Sequence, residues 1–312
     1  MNNLLAATGE YILHENPDLR CCPQWARIDL HCHSTYSDET IKYLPGILYH
    51  PLLEPEEVYD LAKARRMDFV TITDHDTIDG CLALLDRRGP LSDFIVAEEV
   101  SVTMPDDGTI LHVNVYDINE AEHRELQRVR RNLFDFVDYC RRADKLFVLN
   151  HLTWNEQHRV LTRDQIELLL DLFPVFEGLN GARSYAHNAF AWQATRGRNK
   201  ILVAGSDSHT HRVGTTYTIS AGRSPAELLK HIRGGLAHLC GGFGTAEKLR
   251  EDVRIMIQKN VERRIAAAGS AWQRIVIRAV ERCGRLAYPL VCLGYNTRQN
   301  TLVRDFARAL PA

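Results

Sequence analysis

The sequence predicts an α/β domain whose mostly parallel strands close toward a barrel, followed by a helical C-terminal region. Three observations predict it. Seven short apolar runs rich in Val, Ile, Leu and Phe recur between Ala26 and His209. The segments between them mostly show helical spacing or charge, which is the alternation of a parallel-sheet α/β fold. Every run carries His, Asp or Glu, or a Glu-x-x-Asn, at or near its C-terminal end, the rim where parallel barrels place their active sites.

In chain order the runs are ARIDLHCH, MDFVTITDHD, DFIVAEEVS, TILHVNVYD, KLFVLNHL, PVFEGLNG and KILVAGSDSH. Between them, Pro55 to Arg66 reads as an amphipathic helix with proline in its first turn and acids near its N-terminus, as the helix dipole favours. Ala121 to Arg142 and Arg163 to Leu172 read as outer helices, and Ser224-Pro225 resembles an N-cap followed by proline at the first helical position. The third and fourth runs are joined by MPDDG, which is turn chemistry, so one antiparallel pair is expected inside the parallel pattern. After Gly244 the strand signals stop, and Ala246 to Leu286 shows helical periodicity with Val253, Ile255, Ile257, Val261 and Ile265 spaced along one face. The expected division is an N-terminal extension over 1–26, a barrel over 27–244 and a basic helical region over 245–312.

A chain of 312 residues, 45% of them hydrophobic, is long enough for a large core. The net charge of -2 hides an asymmetry: residues 246–312 hold 13 Lys/Arg against 6 Asp/Glu, which leaves 25 against 34 for the rest. A basic end on an acidic body raises nucleic acid or an anionic membrane surface as possible partners of the tail, beside the plainer reading of a helical cap packed on the barrel. Eight cysteines without C-x-x-C spacing suit free thiols and a cytoplasmic location. The first residues lack the charged and apolar regions of a secretory signal, and no run approaches the roughly 18 apolar residues of a spanning helix.

The chemistry is concentrated at the strand ends. His31 and His33 close the first run, and the two-residue strand period sends both imidazoles to one side, poised to share a metal. Asp74, His75 and Asp76 close the second run, and Asp207 and His209 close the seventh. Glu99 follows the third strand, His112 lies in the fourth, His151 ends the fifth, and Glu177 with Asn180 ends the sixth. One buried histidine is ordinarily a satisfied core residue; recurrence on nearly every strand end argues for a shared centre. A mixed imidazole and carboxylate set suits Mn, Zn or Fe better than Ca or Mg alone.

The order H-x-H-x-x-x-x-D, T-D-H-D, E-V-S, two single histidines and S-D-S-H resembles the PHP family, the polymerase and histidinol phosphatase superfamily, from about Ile28 to His209. That resemblance implies a distorted (β/α)7 barrel holding two or three divalent metals. It implies that His31, His33, Glu99 and Asp207 hold the first metal, that Glu99 bridges to a second completed by His112 and His151, and that Asp38, His75 and His209 hold a third. Some relatives have histidine where this chain has Asp38. The E-V-S spacing selects Glu99 over Glu98.

The implied activity is hydrolysis of a phosphate ester, most simply a small phosphomonoester, by metal-activated hydroxide: clustered cations neutralise the phosphate oxygens, lower the pKa of a water and hold the leaving oxygen. Arg183 and Arg212, just beyond the sixth and seventh strand ends, are placed to grip phosphate oxygens, with His211 and Asn180 as further substrate contacts. Asp74, Asp76 and Asn180 sit beside the ligands and are expected to orient imidazoles. The stretch TIKYLPGILYHPLLE is longer than the family's usual connection and is read as a lid bringing Tyr43 to the substrate, or as a loop packed on the N-terminal extension. Three rivals stand beside the phosphatase: a nuclease or phosphodiesterase using the basic tail, a noncatalytic metal-binding module, and an amidohydrolase, whose barrels also begin with H-x-H.

Overall fold

The computed structural model describes residues 24–37 and 50–309, so Asp38, Tyr43 and most of the expected N-terminal extension and lid lie outside the described residues. Nine strands are found: β1 (Trp25–Ile28), β2 (Val70–Ile72), β3 (Phe94–Thr103), β4 (Ile110–Tyr116), β5 (Leu146–Leu149), β6 (Val175–Asn180), β7 (Ile201–Gly205), β8 (Thr216–Ala221) and β9 (His238–Gly241), counting the described residues alone. Strands β2 to β7 form one sheet in sequential order. All its pairings are parallel except those of β4, which runs antiparallel to both neighbours. The turn between β3 and β4 is therefore the hairpin that MPDDG called for.

The segment that continues β1 closes the sheet on itself. On one side the Asp207 N–H donates to the His31 carbonyl at 2.7 Å and the His33 N–H to the Ser208 carbonyl at 3.0 Å, a parallel bridge to the end of β7. On the other, the Thr73 N–H donates to the Cys32 carbonyl at 2.8 Å, and the Asp68 and Phe69 N–H groups donate to the Arg27 carbonyl. With this seventh stave the sheet becomes a distorted barrel. Gly205 makes the approach possible: a Cβ there would lie 2.4 Å from the Cβ of His31.

Strands β8 and β9 were not among the seven apolar runs. They build a second sheet in the order β1-β8-β9. The buried side chains of β8 include Thr216, Thr218 and Ser220, so the strand has no apolar alternation to reveal it. Thr218 Oγ1 fastens it to β7 by bonding to both N–H and C=O of Ala204.

The helices follow their capping chemistry. Helix α1 (Pro55–Ala64) starts with a capping box between Glu54 and Glu57 and proline in its first turn; α2 (Asp79–Arg88) follows β2. The single helix expected over Ala121–Arg142 is two, α3 (Glu120–Val129) and α4 (Leu133–Arg142). The break falls where Asn132 adopts φ -140 and caps α4 with its side chain, accepting from Phe134 and Asp135 N–H. Helix α5 (Arg163–Leu172) has the bounds read from the sequence, set by the Thr162–Gln165 capping box. Helix α6 (Tyr185–Thr195) links β6 to β7, and α7 (Pro225–Arg233) is capped by Ser224. The C-terminal region is also two helices, α8 (Ala246–Ala267) and α9 (Ala271–Ala309), which turn at Ala268 to Ser270 and pack on each other.

Parity along the strands sorts the core. Ile95 and Ala97 of β3, Leu146 and Val148 of β5, Val175 of β6 and Val203 of β7 join Leu228, Leu229 and Ile232 of α7 in one buried cluster, so α7 plugs the apolar end of the barrel. Two residues further along the same strand faces come Glu99, Asn150, Glu177 and Gly205, and the interior turns polar toward the rim. The alternate strand faces, with Val100, Phe147 and Phe176, meet α3 to α6 and the end of α9, whose Phe306 lies 5.5 Å from the ring of Phe190.

Candidate metal centre

Strand parity puts Glu99 inside the barrel and Glu98 outside. Glu98 faces α3, where His123 Nδ1 approaches at 2.9 Å and Gln127 donates at 2.9 Å. Glu99 stands at the middle of the rim, and its two oxygens face different histidines. Oε1 lies 3.3 Å from His112 Nδ1 and 3.3 Å from His151 Nε2. Oε2 lies 3.2 Å from His31, 3.4 Å from His33 and 3.3 Å from His75, each at Nε2. Asp207 repeats the arrangement, its Oδ1 lying 3.6 Å from His31 Nε2, 3.5 Å from His33 Nε2 and 3.8 Å from His209 Nδ1.

Eight of the nine ligands expected from the motif order thus meet at one rim; the ninth, Asp38, is outside the described residues. They tile into overlapping triads with ligand atoms within 4.8 Å of one another: His31/His33/Asp207, His31/Glu99/His151, His75/Glu99/His112 and His33/His75/His209. The donor set fits divalent metal. Nε2 of His31 and of His33 and Oε2 of Glu99 are buried without a hydrogen-bond partner. Such atoms are costly to leave unpaired, and a cation satisfies all of them at once. Burial opposes the charge on Glu99 and Asp207, yet the imidazoles around them overcome it and hold both carboxyls well below the usual carboxylate range. Burial and the neighbouring His209 push His33 down to about 3, whereas the carboxylates around His31 and His112 overcome burial and raise both rings above the usual imidazole value.

A second layer of polar groups fixes these ligands. Glu177 bonds His31 Nδ1 at 2.9 Å with Oε1, so Nε2 of that ring points into the cluster, and its Oε2 accepts from the His151 N–H at 3.0 Å. Asn180 Nδ2 donates to Glu177 at 2.8 Å and to Asp207 Oδ2 at 3.1 Å. Asn150 Nδ2 donates to Glu99 Oε1 at 2.7 Å. Asp74 accepts from the N–H and hydroxyl of Ser34, both at 2.6 Å, and so ties the second strand end to the first. Asp76 accepts from the Ser101 N–H at 2.8 Å and pairs with Arg130 at 3.2 Å. Three of the eight non-glycine residues with positive φ among the described residues lie here: Asp76 at 54, His151 at 24 and Asp207 at 50.

The expected phosphate contacts divide. Arg183 reaches the rim: Nη2 lies 3.5 Å from Asp207 Oδ2, Nη1 donates to the Tyr295 hydroxyl at 3.1 Å, and the guanidinium lies 4.7 Å over the Trp154 ring. Arg212 is engaged by α8, with Nε 3.0 Å from Asp252 Oδ1 and Nη2 paired to Glu251. The carbonyl of His211 accepts from Arg65 at 2.6 Å. Asn150, Trp154 and Tyr295 were not singled out in the sequence; Asn150 directly precedes a ligand, whereas nothing local marks Tyr295.

The strands thus form a distorted barrel of mixed α/β type with a buried His/carboxylate cluster at its rim that could hold metal ions. No family model and no curated protein matches the chain. Among solved structures it is similar to a two-domain protein from Bacteroides vulgatus described as containing a predicted PHP-like metal-dependent phosphoesterase, at 17% identity and TM-score 0.50 over 75% of this chain and 70% of that one. It is also similar to an amidohydrolase from Chromobacterium violaceum, at 20% identity and TM-score 0.44 over 61% and 90% of the two chains. PsfC from Pseudomonas syringae matches at 16% identity and TM-score 0.47 over 77% and 98%. At these identities the likeness is one of fold.

Proposed function

We propose that this chain is a metal-dependent hydrolase acting on a phosphate ester, most simply a small phosphomonoester. The observation that carries the reading is Glu99, whose two oxygens face separate groups of imidazoles, the arrangement of a carboxylate that bridges two cations. His31, His33, Glu99 and Asp207 would hold one ion, and Glu99, His112 and His151 a second. A third would take His75 and His209, with Asp38 from the motif. Mn, Zn or Fe suits this donor set. When bound, such ions neutralise phosphate oxygens and lower the pKa of water.

The chain's own residues do the rest. Arg183, over the Trp154 ring at 4.7 Å, beside Asp207 and bonded to Tyr295, brings a guanidinium to the mouth of the cluster, where a phosphate would meet it. Glu177 keeps His31 with Nε2 toward the cluster, and Asn150 fixes the rotation of Glu99. Asp74 and Asp76 act by holding strand ends together rather than by touching substrate. Arg212, paired with two acids, locks the loop after His209 in place.

The test is turnover of p-nitrophenyl phosphate, bis-p-nitrophenyl phosphate and a panel of amides by protein loaded with Mn, Zn or Fe. Monoester turnover that stops on chelation, returns with metal and falls by at least about 100-fold in His31→Ala is expected. Amide turnover without phosphatase activity, or phosphatase activity that survives metal stripping, would overturn the proposal.

A further inference from the structure

Helix α9 presents an unusual outer surface. Of the eleven large apolar side chains that are exposed among the described residues, eight belong to it, so the exposure is a property of this helix and not scattered over the surface. Trp272 is 71% exposed, Val280 62%, Leu290 70% and Leu293 63%. At about 3.6 residues per turn, these four fall with Ile275 and Val276 on one face. Cys292, Gln299 and Phe306, which are buried, fall on the opposite face, toward the protein. The helix is thus apolar on its inner side, where it packs, and apolar again on its outer side, where nothing in the chain is seen to cover it among the described residues.

Charge indicates what the outer face meets. Helix α9 carries seven arginines, no lysine and two acids, Glu281 and Asp305. Arg278 and Arg282, four residues apart and exposed, lie along one flank of the apolar face. Arg278 and Arg282 have no ion pair among the described residues. Two copies of this chain meeting antiparallel through α9 would set the arginine flanks side by side, where they repel. Nucleic acid would satisfy the arginines and leave Val280, Leu290 and Leu293 in water. An anionic lipid surface meets both demands, since apolar side chains enter the headgroup boundary while guanidinium groups contact lipid phosphates.

We propose that the outer face of α9 docks this chain onto an anionic lipid surface, with Trp272, Val280, Leu290 and Leu293 entering the interface and Arg278 and Arg282 contacting the headgroups. The helix lies along the surface; no helix among the described residues is long and apolar enough to cross a membrane. The docking is separate from the metal centre and does not depend on its activity.

The test is co-sedimentation of the full chain with vesicles of phosphatidylcholine alone and of phosphatidylcholine with phosphatidylglycerol. Binding to the anionic vesicles only, weakened by salt, is expected. The double variant R278E/R282E and the double variant V280S/L290S should each lower binding about tenfold or more, with unchanged helical circular dichroism and metal content. Failure to bind anionic vesicles, or equal binding to neutral ones, would overturn the proposal. So would salt-sensitive capture of RNA that V280S/L290S leaves intact, or a dimer in analytical ultracentrifugation that V280S/L290S dissociates.

Discussion

Nη1 of Arg183 donates to the Tyr295 hydroxyl at 3.1 Å, which ties the mouth of the candidate metal centre to a helix 112 residues further along the chain. The same C-terminal hairpin reaches the neighbouring rim loop, where Asp252 accepts from Thr210 Oγ1 at 2.9 Å and pairs with Arg212. Both loops that follow the last two barrel strands are therefore held from outside the barrel. Tyr295→Phe removes one hydrogen bond to a charged group and leaves the ring. It should raise KM for a phosphomonoester by roughly 2- to 10-fold with little change in kcat or metal content. Arg183→Ala should raise KM further, and steady-state kinetics on the two variants separates the hydroxyl's contribution from the guanidinium's.

Glu177 sets the direction of the His31 ring through Nδ1 and holds the His151 backbone as well. Glu177→Gln preserves the shape and removes the charge. Affinity for divalent metal should drop between about 10- and 100-fold, with only a minor loss of apo-protein stability. Competition against a chelator of known affinity measures it.

Ile232 sits at the centre of the α7 plug, fully buried with Leu228 and Leu229 against Val148, Val175 and Val203. Ile232→Ala leaves a cavity at the end of the barrel opposite the metal centre. Chemical denaturation should show a loss of about 2 to 5 kcal/mol, while metal stoichiometry stays that of the native chain.

Burial lowers His187 to about 3, and the positive charge of Arg183 adds to the effect. Its folded pKa lies below the usual 6.5 for histidine, so the unfolded chain binds more protons between those values. Stability should be unaffected by this group above about pH 6.5 and should fall as pH drops below it, by up to about 1.4 kcal/mol per pH unit. Denaturation midpoints from pH 7 down to about pH 5 should fall less steeply in His187→Asn than in the native chain.

The candidate ligand cluster was legible because its parts are local: His31 and His33 share a strand face, and the other groups each end a run of apolar residues that is visible without neighbours. Glu99 was separable from Glu98 by spacing, and strand parity gives the physical reason. The break at Asn132 was hidden because apolar positions on α3 and α4 continue one helical rhythm across it. Strand β8 was hidden because Thr216, Thr218 and Ser220 are polar side chains turned inward. Least legible were contacts between distant segments. Nothing near Arg212 announces Asp252, and nothing near Arg183 announces Tyr295. Whether Arg212 or Arg183 would be free to meet a phosphate depended on those partners.

The most direct test of the centre is metal analysis of the purified chain after dialysis against Mn, Zn or Fe, in parallel with Glu99→Ala. At least two ions per native chain are expected, with a loss of one or more in the variant and a fall in thermal stability on chelation. Less than one ion per chain, or a metal content and stability indifferent to Glu99, would contradict a centre built around that carboxylate.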